Sequence, residues 1–155
     1  MKRILLLLPV LVCLALCACG EKAPARQALP APDALTAELL GSGAFTEELE
    51  AAETEVSLLL YGLAEEDAPG LRCCFSSGGT TEELAVFPCA DDAAAQTVLD
   101  ACGARLDLQK RIFSAYAPKE VEKLDHALLL RRDNTVVLCV AADQAKAKAV
   151  LDKYF

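Results

Sequence analysis

The stretch AVFPCADDAAAQTVLD, residues 85–100, decides the fold, because a short apolar strand pattern runs directly into a helical one. Pro88 ends the strand pattern, Asp91 is a residue type that caps helices, and apolar residues then recur every three or four positions. A second stretch, VLCVAADQAKAKAVLD at residues 137–152, matches the first at seven of sixteen positions without a gap. The sequence therefore predicts a strand–helix unit that occurs twice.

Each unit has a further strand before it, so two β-hairpins are expected. Turn residues separate the strands, at Ser77-Gly78-Gly79-Thr80 in the first hairpin and at Asp133-Asn134 in the second. The order hairpin–helix, hairpin–helix predicts an α+β fold, in which two ββα units form one four-stranded antiparallel sheet with both helices on one face. Extra N-terminal helices are expected over residues 33–40 and 46–62. The long helix after Asp91 should run to about Tyr116, with one polar gap in its apolar stripe at Gln109.

Strand alternation divides the apolar residues of the sheet between two faces. The residues expected to face the two repeat helices are Leu84, Val86, Leu129, Val136, Leu138 and Val140. The residues expected on the other face are Cys74, Phe87, His126, Leu128, Leu130, Val137 and Cys139. This second face is too apolar to be left in water, so either the N-terminal helices or a partner cover it, and we favour the helices. If a partner covers it, the candidate binding face is Phe87, Leu128, Leu130 and Val137.

The N-terminus carries an export signal. Lys2 and Arg3 precede thirteen mostly apolar residues, fewer than the ~20 that a membrane-spanning helix needs. The next residues, Leu16-Cys17-Ala18-Cys19, resemble the bacterial lipobox, which implies that Cys19 receives a diacylglyceryl group and becomes the mature N-terminus. Two acyl chains give stable membrane anchoring.

Domain organisation and location follow from this signal. We expect a lipoprotein signal peptide over residues 1–18, a proline-rich tether over 19–33 and a single α+β domain over 34–155. The protein is expected at the extracytoplasmic face of the cell membrane. Removing residues 1–18 also removes two positive charges, which lowers the net charge from −8 to −10. This acidity argues against nucleic acid as a partner.

Catalytic and metal-binding residues are scarce. His126 is the only histidine, and together with Cys139 it offers two ligands where zinc takes three or four, so no metal site and no cofactor are predicted. Five cysteines of the predicted domain remain, namely Cys73, Cys74, Cys89, Cys102 and Cys139. Their number is odd and no CxxC motif is present, so we interpret them as small buried apolar groups.

The chain resembles small lipoproteins of Gram-positive anaerobes that carry a domain of unknown function. The resemblance rests on Cys19-Gly20, on Tyr61-Gly62-Leu63, on residues 83–87 running into Asp91, and on Phe113, Tyr116 and Pro118. It implies an exported, lipid-anchored α+β domain and brings no established activity.

Three functions remain open at this point. We expect a non-catalytic binding or envelope-associated module that works through the second sheet face or through the acidic loop at residues 61–70. The alternative is a thiol-dependent enzyme that uses Cys139 and His126. A third possibility is a structural subunit of an envelope complex.

Overall fold

The computed structural model describes residues 26–155 of the chain. The predicted signal peptide and the predicted lipidation site, Cys19, lie outside these residues. Within residues 26–155, no helix is both long enough and apolar enough to cross a membrane. The helices are α1 Pro32–Leu40, α2 Thr54–Tyr61, α3 Asp92–Ser114, α4 Pro118–Asp125 and α5 Gln144–Leu151. The strands are β1 Glu50–Ala51, β2 Arg72–Phe75, β3 Glu83–Pro88, β4 Leu128–Arg132 and β5 Thr135–Val140.

The strands form one antiparallel sheet in the order β1-β2-β3-β5-β4. Both predicted hairpins are present, because β2 pairs with β3 and β4 pairs with β5. The first hairpin turns through Gly78, whose φ of 101° is a conformation that favours glycine. The two hairpins meet where β3 pairs with β5. The predicted α+β fold with an antiparallel sheet is therefore confirmed.

Five strands are described rather than the predicted four. The sequence predicts one helix over residues 46–62, but β1 pairs there with the edge of β2, and the Ala52 N–H donates to the Cys73 carbonyl at 2.9 Å. The helix α2 consequently begins only at Thr54. Leu49, which the helical pattern included, is buried in the core instead. Pairing the exposed edge of β2 outweighs the weak helix propensity of this stretch.

Helices cover both faces of the sheet, whereas the sequence predicts both repeat helices on one face. We call the side against which α2 and α3 pack the α3 face, and the side against which α1 and α5 pack the α5 face. The α3 face carries Ala85, Phe87, Val136, Leu138 and Val140. The α5 face carries Cys74, Leu84, Val86, Val137 and Cys139, with Leu128 and Leu130 partly buried beside them. The assignments of β4 and β5 are correct, but those of Leu84, Val86 and Phe87 in β3 are reversed.

The register of the central strands explains this reversal. Position 84 corresponds to position 136 in the internal comparison, yet Leu84 lies on the α5 face and Val136 on the α3 face. The two strands therefore send their helices to opposite sides of the sheet. The helix caps are nevertheless shared, because Asp91 and Asp143 each accept a hydrogen bond from the backbone N–H three residues later, at 2.9 and 3.1 Å. The two copies thus share the local order of strand, cap and helix, but their helices pack on different faces of the sheet.

The helix α3 is longer than the strand it covers. Its 23 residues span about 34 Å, whereas the six residues of β3 span about 20 Å. Arg105 lies level with Glu83, the first residue of β3, so residues 106–114 run beyond the end of that strand.

The helix α4 packs against this overhanging end of α3, with an ion pair of 2.9 Å between Lys110 and Asp125. The sequence predicts only a short turn after Pro118 and a strand from Asp125. Pro118 starts a two-turn helix instead, because proline suits the first helical turn, and β4 begins later, at Leu128.

Candidate functional site

The overhanging end of α3 forms one wall of an open cleft of about 370 Å³. The connection between β2 and β3 lies opposite, and the end of α2 borders one side. The apolar lining residues are Leu60, Phe75, Ile112, Phe113 and Tyr116, and hydroxyl or amide groups come from Ser76, Thr80, Thr81 and Gln109. This volume lies at the lower end of the range for small-molecule sites, and it suits one or two side chains of a partner.

A buried ion pair forms the floor of the cleft. The Nε and Nη2 groups of Arg105 donate to the two carboxylate oxygens of Glu83, at 2.6 and 2.7 Å. The two side chains are only 9% and 4% exposed, and the contact has the bidentate form that favours arginine. The hydroxyl of Tyr61 donates to the same carboxylate. Both oxygens of Glu83 are therefore already engaged within the protein.

Two aromatic rings hold the Arg105 guanidinium in place. Its central carbon lies 5.1 Å from the ring centroids of both Tyr61 and Phe75, within cation–π distance. Burial acts to lower the pKa of Arg105, but the hydrogen bonds and charge of Glu83 outweigh it and raise the pKa. Burial, and then the charge of Glu83, raise the pKa of Tyr61 well above its ordinary value, so its hydroxyl stays protonated. The floor is a rigid group with fixed charges.

Two polar side chains on the α3 wall of the cleft have hydrogen-bonding groups that bind no other group in the described part of the chain. Within residues 26–155, no hydrogen bond uses the Nη1 group of Arg105 or the side-chain amide of Gln109. Neither group is sealed away from solvent, since neither is among the buried polar atoms of this region that lack a partner. The two residues are four positions apart on α3, so their side chains are neighbours on one helix face. The cleft thus presents polar groups that nothing in the described part of the chain satisfies.

A second buried carboxylate fixes the end of the cleft. Glu82 accepts hydrogen bonds from the Thr46 N–H at 2.8 Å, from the Thr46 hydroxyl and from the Lys123 ammonium at 3.0 Å. Burial acts to raise the pKa of Glu82, but these hydrogen bonds outweigh it and hold the pKa below its ordinary value. Glu120 accepts from the Thr81 N–H at 2.9 Å and pairs with Lys123 at 3.0 Å. This network joins the loop before β1, the β2–β3 connection and α4 next to the cleft.

The rim of the cleft is apolar and exposed. Leu59 on α2 is 82% exposed, and Tyr116, just after α3, is 62% exposed. The other large apolar side chains exposed in the described residues are Val56, Leu60, Leu108 and Ile112. Three of these six side chains line the cleft, namely Leu60 on α2, Ile112 on the overhanging end of α3 and Tyr116 just after it. The sequence pattern placed Tyr116 in the buried stripe of the long helix, which is wrong because the sheet does not reach that far.

Three of the four residues of the predicted sheet-face site, Leu128, Leu130 and Val137, lie together on one face, and only Phe87 lies on the other. Phe87 and Val137 are fully buried, and they lie on opposite faces of the sheet. Leu128 and Leu130 lie partly buried on the α5 face, which α1 and α5 cover. The N-terminal segment covers the second face, as we favoured, and α5 contributes as well. In the loop after α2, the other predicted surface, Glu65 and Glu66 are exposed, whereas Tyr61 is buried.

Cys139 and His126 do not meet. Cys139 is fully buried on the α5 face, and burial raises the pKa of its thiol to about 12. His126 is exposed at the end of α4, with its Nδ1 atom 2.7 Å from the Glu122 carbonyl. It lines a separate, shallow cavity together with Lys119 and Gln144, to which Cys139 does not contribute. A thiol with so high a pKa and no base beside it is a poor nucleophile.

All five cysteines of the predicted domain are free thiols and are buried. Cys73, Cys89 and Cys102 belong to the core under α3, whereas Cys74 and Cys139 belong to the core under α5. Burial raises the pKa of each of them, that of Cys73 to about 12. The interpretation of these residues as small buried apolar groups is confirmed.

Sequence reasoning did not select the cleft residues Glu83, Arg105 and Gln109. One signal was available, because Gln109 interrupts the apolar stripe of α3 at the point where the helix leaves the sheet. A second was the pair Glu82-Glu83 at the start of a strand that is otherwise apolar. The partner of each carboxylate was not predictable, since Arg105 and Lys123 lie 22 and 41 positions further along the chain.

The cleft lies within a recognisable family domain. The sequence profile of the domain of unknown function DUF4358 matches residues 45–141, which include every cleft residue named above. Neither curated proteins nor solved structures give a significant match. Because the matched region covers more than half of the chain, the chain belongs to the DUF4358 family.

Proposed function

We propose that this chain is a lipid-anchored extracytoplasmic lipoprotein, and that its folded domain is a non-catalytic module that binds an envelope component or a partner protein in the cleft beside α3. The observation that carries the binding site is the left-over hydrogen-bonding capacity of Arg105 and Gln109 between apolar walls. Apolar lining with a few fixed polar groups is the usual composition of a ligand site.

The exposed rim supports the same proposal. Leu60 and Tyr116 are large exposed side chains that gain from being taken out of water, and both line the cleft. The anchor rests on the sequence alone, on Cys19 after Leu16-Cys17-Ala18. A proline-rich tether of the predicted length reaches about 45 Å at about 3.1 Å per residue, so a domain held in this way can meet partners near the membrane surface.

Site-specific photo-crosslinking in the native host tests the binding site. A photoreactive aromatic amino acid replaces Tyr116 at the rim, and the matched control replaces Lys148 on α5, whose side chain is 58% exposed on the far side of the sheet. We expect a discrete adduct at position 116 that the additional substitution Ile112→Glu abolishes, and no such adduct at position 148. Equal adducts at both positions, or an adduct indifferent to Ile112→Glu, would contradict the proposed site.

Mass spectrometry of the native protein tests the anchor. We expect the mature N-terminal peptide to begin at Cys19 and to carry a diacylglyceryl mass, and the variant Cys19→Ala to leave the membrane fraction. A Cys19→Ala protein that stays membrane-bound would show that the anchor lies elsewhere. This result would leave the cleft unaffected, because the two parts of the proposal rest on separate observations.

A further inference from the structure

Building on the proposed function of the cleft, we propose that its ligand is an uncharged peptide segment with a large apolar side chain. In this arrangement the side chain packs between Leu60 and Ile112, and the neighbouring peptide group hydrogen-bonds to Arg105 and Gln109. The ligand class follows from three properties of the cleft. These are its free hydrogen-bond donors and acceptors, its local charge and the side chains of its apolar surface.

The available hydrogen bonds match a peptide group. The Nη1 group of Arg105 can only donate, whereas the amide of Gln109 both donates and accepts. A peptide carbonyl can accept from either of these side chains, and a peptide N–H can donate to the carbonyl oxygen of Gln109. The carboxylate oxygens of Glu82 and Glu83 already accept hydrogen bonds from the protein, which leaves little for a cationic ligand.

The local charge disfavours an anionic ligand. At the floor and end of the cleft, the carboxylates Glu82, Glu83 and Glu120 pair with two cations, Arg105 and Lys123. The positive charge of Arg105 is taken up by its bidentate contact with Glu83, and the whole chain carries a net charge of −8. A carboxylate or phosphate that reaches the floor of the cleft would meet a guanidinium whose charge is already paired with Glu83. An uncharged acceptor satisfies the same donors without this repulsion.

The apolar surface favours a peptide over a sugar. The exposed apolar side chains at the mouth of the cleft are Leu60, Ile112 and Tyr116, and the exposed Val56 and Leu59 extend the apolar surface along α2. A peptide can place one apolar side chain in the cleft and the next along α2, whereas a sugar offers mainly hydroxyl groups to these leucines. The volume of about 370 Å³ accommodates one such side chain together with its peptide group.

Saturation-transfer NMR on the full chain tests the ligand class with four defined probes. The probe expected to bind is N-acetyl-leucine N′-methylamide. The comparison probes are N-acetyl-leucine, which is anionic, N-acetylglycine N′-methylamide, which lacks the side chain, and N-acetylglucosamine, a sugar with an amide. We expect the leucine amide to bind at least about fivefold more tightly than each of the other three. Gln109→Ala should weaken its binding about fivefold with an unchanged melting temperature, because the Gln109 side chain makes no hydrogen bond within residues 26–155.

The variant Gln96→Ala is the matched control, because it removes a glutamine from the same helix, and Gln96 is exposed and bonded to Asp100 rather than to the cleft. We expect it to bind the leucine amide as wild type does. Equal or tighter binding of N-acetyl-leucine or of N-acetylglucosamine would overturn the proposal, and so would the absence of any signal from the leucine amide. If the probes fail while the adduct at position 116 persists, the ligand class is wrong and the binding function of the cleft stands.

Discussion

Breaking the buried ion pair under the cleft should destabilise the domain far more than breaking an exposed one. In Arg105→Met, the apolar side chain fills much of the space of arginine, but Glu83 keeps only the hydrogen bond from Tyr61. The two side chains are 9% and 4% exposed, so screening by solvent does not reduce the effect. Removing one partner of such a pair costs about 3–5 kcal/mol, and the remaining hydrogen bond places the expected loss near 3 kcal/mol.

Urea denaturation followed by far-UV circular dichroism measures this loss, since the chain has no tryptophan to report by fluorescence. The matched control is Arg131→Met, which breaks an ion pair with Asp92, whose side chain is 88% exposed, and it should cost at most about 1 kcal/mol. The double variant Glu83→Leu/Arg105→Met should recover part of this loss and lie within about 2 kcal/mol of wild type, because it leaves no buried charge without a partner and only the Tyr61 hydroxyl loses its acceptor. The reasoning fails if Arg105→Met costs no more than Arg131→Met, or if the double variant loses as much as the two single variants together.

Three further predictions concern titration, thiols and caps. The pKa of Glu82 is lowered in the folded protein, so its contribution to stability is complete above the unfolded value near 4.3 and is lost as the pH falls through the folded pKa. When the pH is lowered below about 4, the urea midpoint of the wild type should therefore decrease, and that of Glu82→Gln should decrease less. Parallel plots of midpoint against pH for the two proteins would contradict this. The buried thiols, Cys139 among them, should not react with iodoacetamide in the native protein at pH 8 and should react after unfolding in urea. Rapid labelling of Cys139 in the native protein would instead support a thiol-dependent enzyme. Asp91→Ala should cost about 1 kcal/mol in urea denaturation by removing the cap of α3, whereas Asp107→Ala, an exposed position in the same helix, should cost almost nothing; equal losses would argue against the cap.

The local elements were predictable because their signals are contained in short stretches. Asp91 and Asp143 mark helix starts after strands, and the turn residues between the strands place both hairpins. The face assignment of β3 was not predictable in the same way. It depends on which residue of β5 lies opposite each residue of β3, and alternation within one strand does not contain this information. The internal similarity predicts that Leu84 and Val136 lie on the same face of the sheet. The pairing of β3 with β5 places them on opposite faces instead.

The candidate site was less predictable than the fold, for a physical reason. Its residues come from α2, the β2–β3 connection and α3, and only the overhang of α3 brings them together. Helix periodicity treats every turn of α3 alike, although Val98 is fully buried against the sheet and Ile112, fourteen residues later, is 44% exposed. Beyond the sheet, Phe113 next to Ile112 is still only 5% exposed, so burial there depends on which other elements pack against the helix, and sequence alone does not give these contacts.

The ion pair of Arg105 with Glu83 also bears on what the cleft is for. A buried ion pair is weak evidence for a stabilising role, because apolar residues of similar volume serve a core equally well. This pair lies where α3 leaves the sheet, and it gives the cleft a donor that is held rigidly by Tyr61 and Phe75, so little side-chain freedom remains to be lost on binding. The double variant Glu83→Leu/Arg105→Met therefore separates the two roles. If the pair serves binding, the variant stays folded and no longer binds the leucine amide, whereas a pair that serves only the fold predicts unchanged binding.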